Sequence, residues 1–448
     1  MMGAIGLIVI VSLTPPSLLD ARTLTLDEAV STAETNQPAL HEAQANTRAG
    51  NARADEARAP VLPQVKLGAT YQRTTGNREH KPGSATTVQN STDTFNWWDF
   101  TAAGSFVLWD FGQTRGQWHA AEASARGLAQ SESATRLEVI LGARTAYFRA
   151  RAQKALVGVA RESLANRERH LGQIDGFVTE GTRPMIDLAQ ARADRATARV
   201  QLIDAENAYA LARAALNQAM GVTGSLDYDV ADQTFAPVEG EAQPVTTLVD
   251  EALRARPDRA ALDEQIHAEE LARRAAVGSY GPTLSLIAGA SDQGTNLTGT
   301  SGIGLTSSGN LRLYTDSALA WNFWGGLSLV WPIFQGFATR SQVREADAQL
   351  AALQARRDAL VQQVWVTVAG AQLDVRAAQE AIIASREGVT SSHERLALAE
   401  GRYQAGAGSV IELGDAQGGV VSAEAQQVAA EYRLAIARAQ MIFALGRR

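Results

Sequence analysis

The chain contains few residues that could carry catalytic chemistry. It has no cysteine in 448 residues, which excludes thiol nucleophiles, disulfides and cysteine-based zinc sites. No two of its six histidines have the spacing of metal ligands, and no HExxH sequence occurs. The glycines Gly302, Gly304 and Gly309 lie in a polar loop rather than between a strand and a helix, so they do not form a dinucleotide-binding motif. We therefore expect no enzyme activity, no metal and no cofactor.

Acidic residues beside two glycine-containing turns are the most informative polar group. The segment FVTEGTRPMIDLAQA contains Gly181 and Asp187, and the segment RYQAGAGSVIELGDA contains Gly406 and Glu412. In both segments the acidic residue follows the glycine by six positions, and an alanine-rich helix begins there. Taken alone, these residues could be ordinary solvated acids at a turn.

The helices that position these turns have a strict seven-residue period. Alanine recurs at every seventh position in two series, which are Ala191, Ala198, Ala205, Ala212, Ala219 and Ala416, Ala423, Ala430, Ala437, Ala444. A strict heptad period predicts long helices with a left-handed supercoil. Small alanine side chains at the seam predict closely spaced helix axes. Long helices are also predicted before the turns, at 113–174 and 337–401.

The two alanine series belong to two copies of one unit. Gly181 and Gly406 are 225 positions apart, and so are Gly221 and Gly446. We predict a first repeat at 23–221, a linker at 222–243 and a second repeat at 244–448. Each repeat consists of short helices, two strands and a long helical hairpin. Thr25 and Glu28 have the spacing of a capping box at the start of the first helix.

Residues 1–22 are predicted to be a signal peptide. The apolar run AIGLIVIVSL is too short to span a bilayer, which takes about 20 residues, and it fits the apolar core of a secretion signal. No basic residue precedes Arg22, so the true start and the cleavage site stay open. A buried apolar segment is the alternative.

The candidate strands suggest a membrane. Along 319–333, Trp321, Phe323 and Leu327 alternate with polar or small residues, as in a barrel strand that faces lipid. A half-buried strand of a soluble sheet fits the same alternation. Four strands cannot close a barrel, whose minimum is about eight, and open sheet edges are not tolerated in lipid. We therefore expect three copies to supply about 12 strands.

Four tryptophans on these strands are expected to lie at the membrane interface. They are Trp97, Trp98, Trp321 and Trp324. A soluble aromatic cluster or ligand-stacking residues are the alternatives.

The long paired helices, the four strands and the duplication resemble the TolC-like outer-membrane efflux channel family over residues 23–446. The specific matches are the two turn segments, LPQ at 62–64, and WDFGQTRGQ at 109–117 with its echo WPIFQGFATRSQ at 331–342. The resemblance implies a mainly α fold with membrane β. A trimeric 12-stranded β-barrel would lie in the outer membrane, and a helical tunnel would continue it through the periplasm.

The resemblance also implies roles at the periplasmic tip of the tunnel. Glu412 and Asp415 match acidic positions that surround the pore constriction. Asp187 and Tyr403 match a latch that holds inner helices against outer helices in the closed state. On this basis Asp187→Ala and Tyr403→Phe are each expected to increase conductance.

The tip turns match the positions that adaptors grip in the family. These are Gly181, Thr182, Gly406 and Ala407. Gly408 stands where some relatives carry an arginine that adds a second latch. Arg183 lies at the equivalent place in the first repeat, and whether it replaces that arginine stays open.

The implied function is a passive exit duct for small molecules, by default drugs. Its partners would be a periplasmic adaptor (a membrane fusion protein), an inner-membrane transporter of RND or ABC type, and outer-membrane lipid. A type I protein-secretion duct is an alternative. A coiled-coil structural or adhesion protein of the cell surface would explain the alanine series but not the aromatic strands. The formal charge of −7 argues against a nucleic-acid partner.

Overall fold

The computed structural model describes residues 22–78, 91–224, 227–298, 302–305, 311–314 and 320–448. The helices are α1 (Leu26–Asn36), α2 (Pro38–Arg58), α3 (Gln113–Thr179), α4 (Met185–Ala219), α5 (Val245–Ala255), α6 (Pro257–Gly278), α7 (Ala338–Gln404) and α8 (Val410–Ala444). The strands are β1 (Arg22–Leu24), β2 (Gln64–Arg78), β3 (Ser91–Trp109), β4 (Tyr228–Val230), β5 (Thr283–Thr298), β6 (Gly302–Leu305), β7 (Leu311–Tyr314) and β8 (Ala320–Val330).

Helix α1 begins with the capping box that the sequence predicts. Thr25 Oγ1 accepts a hydrogen bond from the Glu28 amide at 3.3 Å, and the Glu28 carboxylate accepts one from the Thr25 amide at 3.2 Å. Both amides lie before the first full helical turn and have no carbonyl partner within the helix. The box therefore fixes the point where the first repeat turns from strand β1 into helix.

One compact unit, Asn46–Ala129 with Ala261–Arg357, contains a four-stranded antiparallel sheet. The strand order is β2-β3-β5-β8, so the two repeats join through the central pair β3 and β5. The β3–β5 register shifts at a bulge between Val107 and Trp109. Strands β2 and β8 are the two edges of this sheet.

The two faces of the sheet differ in polarity because successive side chains point to opposite sides. One cross-strand row is Leu67, Ala102, Ala290 and Phe323. The next row is Gly68, Thr101, Ser291 and Asn322. We call the side of the first row the apolar face and the side of the second row the polar face. Leu67 is 83% exposed and Phe323 is 73% exposed, so the apolar face is uncovered in a single chain.

The strands extend further than the sequence predicts. The high content of Gly, Ser, Thr and Asn at 75–94 and 292–317 predicts a polar loop in each repeat. In the structure, β2 continues to Arg78, β5 continues to Thr298, and β6 pairs with β7. Pairing with the neighbouring strand determines the structure of these segments. Thr favours strands, whereas Gly and Asn are disfavoured there, but the strand preference of a residue depends on its pairing context. The rest of both predicted loops lies outside the described residues.

The other compact unit contains the described parts of 1–45, 130–260 and 358–448. It includes two helical hairpins, in which α3 turns into α4 and α7 turns into α8. Helices α3 and α7 have 67 residues each, and α4 and α8 have 35 each. Equal lengths in both repeats confirm the duplicated unit of two strands plus long helices. Both long helices extend past the predicted ends at 174 and 401, up to turns at Gly181 and Gly406.

The alanine series form the predicted buried seams. All five alanines of the second series are buried, at 0–9% exposure. In the first series Ala191, Ala198 and Ala212 are buried, whereas Ala205 and Ala219 are half-buried. Side chains this small let helices approach closely.

The predicted linker contains structure that the sequence does not reveal. Strand β4 lies within it and pairs in parallel with β1, in the register Arg22↔Tyr228. The Gln372 side chain donates to the carbonyl oxygens of Glu241 at 3.1 Å and Gln243 at 2.7 Å. Three-residue strands are too short to show a period in the sequence, which is why β1 and β4 are missed.

Candidate functional site

The turns of the two hairpins lie side by side around one apolar cluster. Its buried members come from α3, α4, α7 and α8 and are Ile174, Leu188, Ala191, Ala399, Tyr403, Leu413 and Ala416. Each turn reverses the chain at a glycine in the left-handed region, where φ is 73° at Gly181 and 74° at Gly406. A residue with a Cβ is strained there, which explains glycine at both positions.

Arg183 connects the first hairpin to the second. Its Nη2 donates to the carbonyl oxygen of Tyr403 at 2.7 Å. The guanidinium also lies over the Tyr403 ring, with 4.5 Å between Cζ and the ring centroid. A charge-assisted hydrogen bond contributes about 1.5–3 kcal/mol, and a cation–π contact adds to it.

Asp187 and Tyr403 are close enough for the carboxylate to act on the phenol by its charge and as a weak hydrogen-bond acceptor, although the geometry falls short of an ordinary hydrogen bond. Tyr403 is 3% exposed and Asp187 is 8% exposed. Burial raises the pKa of the Tyr403 phenol, the Asp187 carboxylate raises that pKa further, and Arg183 opposes both. Among the described residues, Tyr403 Oη has no hydrogen-bond partner. The structure thus places Asp187 and Tyr403, the predicted latch pair, close together. The hydrogen bond that joins Tyr403 to the first hairpin comes from Arg183.

Arg167 makes a second connection that the sequence does not reveal. It is 14% exposed and pairs with Asp194 at 3.3 Å across the first hairpin. Its Nη2 also donates to the carbonyl oxygen of Gly414, on α8, at 3.3 Å. In the sequence, the opposite charges of Arg167 and Asp194 are the one feature that could have indicated this connection. Opposite charges on neighbouring helices are too common to single out one pair.

The predicted constriction acids differ in their environment. Glu412 pairs with Arg402 at 3.2 Å, and both side chains are partly exposed. Asp415 is exposed and forms no ion pair with another described residue. The Glu412 amide donates to Ser409 Oγ at 3.1 Å, so Ser409 caps α8. Arg402 therefore offsets part of the negative charge that Glu412 brings.

Gly408 has little room for a side chain. A Cβ at this position would lie 3.0 Å from the Tyr403 amide nitrogen and 3.2 Å from the Arg402 carbonyl carbon. A Cβ contact this close requires the neighbouring backbone to shift. A side chain at 408 would therefore displace the neighbouring backbone by a few tenths of an ångström, and in this chain the arginine that contacts Tyr403 comes from position 183.

The predicted adaptor-contact turns are exposed. Gly181, Thr182, Gly406 and Ala407 all lie at the surface of this chain. Met185 and Ile186 next to the first turn are 66% and 73% exposed, and Ile411 next to the second is 67% exposed. These three apolar residues were not predicted. Uncovered apolar side chains beside a polar turn are typical of a protein contact.

Of the four tryptophans predicted at the membrane interface, Trp98 and Trp324 have described side chains, and these two lie on opposite faces of the sheet. Trp98 is half-buried on the apolar face, with its ring centroid 5.8 Å from that of Tyr71. Trp324 has the strand parity of Asn322 and therefore lies on the polar face, where a Cβ on Gly289 would be 2.4 Å from its ring. The interface role of both tryptophans stays a prediction. The side chains of Trp97 and Trp321 lie outside the described residues.

The described part of the chain has neither a cluster of metal-binding side chains nor a helix that could cross a membrane. No group of three or more His, Asp or Glu side chains is placed to hold a metal ion. No described helix is both long enough and apolar enough to cross a membrane.

The duplicated sheet and hairpins have the fold of the TolC-like trimeric outer-membrane channels. The sequence profile described as Outer membrane efflux protein matches residues 29–222 and 248–447, and the chain belongs to this family. The chain is therefore an outer-membrane efflux or secretion channel of the TolC-like class, with its helical part in the periplasm. This confirms the family, fold class and location that the sequence predicts.

Two relatives and one solved structure illustrate the similarity. The outer membrane protein TolC of Escherichia coli is 25% identical over 422 residues, covering 92% of this chain and 80% of TolC. The toluene efflux pump outer membrane protein TtgF of Pseudomonas putida is 26% identical over 416 residues, covering 91% and 81%. The outer membrane protein VceC of Vibrio cholerae superposes with a TM-score of 0.77 at 18% identity, covering 94% and 96%.

Proposed function

We propose that three copies of this chain form a passive exit duct that receives small organic molecules from an inner-membrane pump through a periplasmic adaptor. The duct carries out no catalysis, and the pump supplies the energy. The observation that carries the proposal is the Arg183–Tyr403 connection between the hairpins, because a duct needs a tip that can be closed and opened.

The sheet supports assembly from several copies. Its edge strands β2 and β8 lack neighbours on their outer sides among the described residues. Such edges are not tolerated within lipid unless they pair. The exposed apolar face fits lipid, and three sheets of four strands give about the 12 strands of a closed barrel. A coiled-coil adhesion protein would leave this face unexplained.

The exposed turns support an adaptor contact. The apolar side chains of Met185, Ile186 and Ile411 project beside the polar backbone of the turns. A partner that covers both turns would bury these side chains and would sit directly over the Arg183–Tyr403 connection. Adaptor binding could then be coupled to opening of the tip.

The cargo we propose is small and organic. TtgF is named as part of a toluene efflux pump, and toluene is a small apolar molecule. The described residues contain no metal-binding cluster, which gives no support for a metal cargo. A polypeptide cargo is the second candidate within the family.

Single-channel recording in planar bilayers tests the duct and its latch together. The wild-type protein is expected to form pores of low conductance, and Arg183→Ala is expected to raise the conductance or the open probability. Each 1.4 kcal/mol removed from the closed state changes the open-to-closed ratio about tenfold. Arg192→Ala is the matched control, because Arg192 is an exposed arginine on the same helix hairpin, about two helical turns beyond Arg183 along the chain.

The outcomes separate the two parts of the proposal. Failure of every variant to form pores would contradict the duct. Pores with identical conductance in the wild type, Arg183→Ala and Arg192→Ala would contradict the latch while leaving the duct.

A further inference from the structure

A polar cavity lies inside the helical unit, next to the latch. Its volume is about 490 Å³, and α3, α7 and α8 line it. The lining includes His170 from α3, Tyr403 from α7 and Gln417 from α8. The cavity therefore touches the same tyrosine that Arg183 holds.

Three side chains bring unpartnered polar atoms to this cavity. His170, Tyr403 and Gln417 are 9%, 3% and 8% exposed. His170 Nε2, Tyr403 Oη and Gln417 Oε1 find no hydrogen-bond partner among the described protein groups. Leaving such groups unpaired is costly, and a polar cavity of this size accommodates several water molecules of about 30 Å³ each. Water in the cavity would also bring protons to His170.

His170 packs directly against the latch tyrosine. The two rings meet edge to face, with centroids 5.5 Å apart and an interplanar angle of 66°. A neutral imidazole fits this contact. An imidazolium would place a buried positive charge between α3 and α7, next to the Tyr403 ring.

We propose that His170 is the proton sensor of the tip, and that its protonation loosens α3 from α7 at Tyr403 and opens the channel at acidic pH. This inference rests on the proposed function and adds a regulation to the same gate. It also gives the unpartnered atoms of the cavity a role, since water that enters on opening can hydrate all three.

The direction of the pH effect follows from the neutral form being favoured in the closed state. Burial lowers the pKa of His170 below its ordinary value of 6.5, and the charge of Arg167 lowers it further, while Gln173, Glu400 and Asp194 oppose. Because the closed state favours the neutral form of His170, it has its full stability at pH values above the ordinary histidine pKa of 6.5. The contribution of neutral His170 is lost as the pH falls below about 6.5.

The other charged groups around the cavity are not expected to open the tip as the pH falls from 7.5 to 5.5. They are Glu162, Arg167 and Arg169 on α3, Asp194 on α4, His393 and Glu400 on α7, and Glu424 on α8. Carboxylates ordinarily titrate below pH 5, so histidines dominate between pH 7.5 and 5.5. His393 Nε2 lies 3.2 Å from a Glu424 carboxylate oxygen. A positive charge on His393 would strengthen that pair rather than open it.

Open probability in planar bilayers at pH 7.5 and pH 5.5 tests the proposal. The wild-type channel is expected to open several-fold more often at pH 5.5. His170→Gln and His170→Asn are expected to lose this response, since both replacements stay neutral. His393→Gln is the matched control, because it removes the other histidine of the same cavity, and it is expected to keep the response.

A second readout reports the tip itself. The chain has no cysteine, so a single Thr182→Cys accepts a spin label whose distances between copies widen when the tip opens. A pH response that persists in both His170 variants, or a wild-type channel without any response, would overturn the sensor. Absence of pores in all variants would instead contradict the duct itself.

Discussion

Tyr403 joins the two hairpins through its backbone carbonyl and its ring rather than through its hydroxyl. The carbonyl accepts the Arg183 hydrogen bond, and the ring lies beneath the Arg183 guanidinium and against His170. The hydroxyl is buried without a partner among the described groups. Removing an unpaired buried polar group is neutral or stabilising, whereas removing the ring takes away most of the contact.

This geometry changes the expectation for Tyr403→Phe. From the sequence that variant should open the channel, but with the hydroxyl unpaired we now expect wild-type conductance. Tyr403→Ala should raise the conductance, because it removes the ring from under Arg183. Bilayer recordings of the two variants side by side decide the point. A large opening in Tyr403→Phe would show that the hydroxyl bonds Asp187 in the working channel.

Asp187 remains a predicted member of the latch through its charge. It lies in the first turn of α4, where a carboxylate interacts favourably with the positive end of the helix. It is also 8% exposed and close to Tyr403. Asp187→Ala is still expected to raise the conductance, and Asp187→Glu, which keeps the charge, is its control.

Cation selectivity is expected to depend on Glu412, Asp415 and Arg402. Three copies would place about six carboxylates of Glu412 and Asp415 around the axis, and such a ring attracts cations. Glu412→Gln with Asp415→Asn should lower the selectivity, and Arg402→Gln should raise it, since Arg402 pairs with Glu412. Reversal potentials in a salt gradient measure both changes. Potentials that match the wild type in every variant would remove the acidic ring from the account.

Two glycines that end helices have the same backbone conformation but different surroundings. Gly221 and Gly181 have φ angles of 70° and 73°. A Cβ at Gly221 would lie 2.6 Å from the Asn36 carbonyl oxygen, whereas a Cβ at Gly181 meets nothing within 4 Å. Each glycine ends a helix, but only Gly221 is packed against the backbone of another segment.

The two alanine variants should therefore differ in stability. Gly181→Ala should cost about 1–2 kcal/mol, the conformational cost of a left-handed alanine. Gly221→Ala should cost clearly more, because a backbone clash is added. Thermal unfolding of the detergent-solubilised protein compares them. Equal shifts in Tm would mean that the neighbourhood of Asn36 relaxes freely.

The helices were predictable from the sequence because their pattern is long and regular. The alanine series identify α4 and α8, and the glycines at the turns identify the hairpins. Strand ends were less predictable, since β2 and β5 continue into polar segments that only backbone pairing holds. Strands β1 and β4 were missed because three residues show no period. The tip acids and turns came from the family resemblance, whereas Arg167 and the cavity at His170 depend on contacts between distant helices.

At the scale of the whole molecule, a single chain presents a sheet that is incomplete for a membrane. Its apolar face is exposed, and its edge strands β2 and β8 have no outer neighbours in the described structure. Pairing β2 of one copy with β8 of the next would satisfy both edges and close a barrel. The unpaired edges of the sheet therefore require assembly with other copies before the sheet can lie in a membrane.

Disulfide cross-linking between copies tests this edge pairing. The chain has no cysteine, so every cross-link comes from introduced residues. Cysteines placed at Gly68 or Thr70 on β2 and at Asn322 or Ser328 on β8 sample neighbouring registers of the same polar face. At least one pair should give covalent dimers and trimers on oxidation. A matched pair on the central strands, Thr101→Cys with Ser291→Cys, should cross-link only within a chain.

The mass of the wild-type protein in detergent shows whether three copies assemble into one channel. Sedimentation or native mass spectrometry should find three times the mass of one mature chain, which is below the 47.7 kDa of the full sequence once the predicted signal peptide is removed, in a particle that forms pores when added to a bilayer. A compact particle with the mass of a single chain and no pore activity would contradict the account.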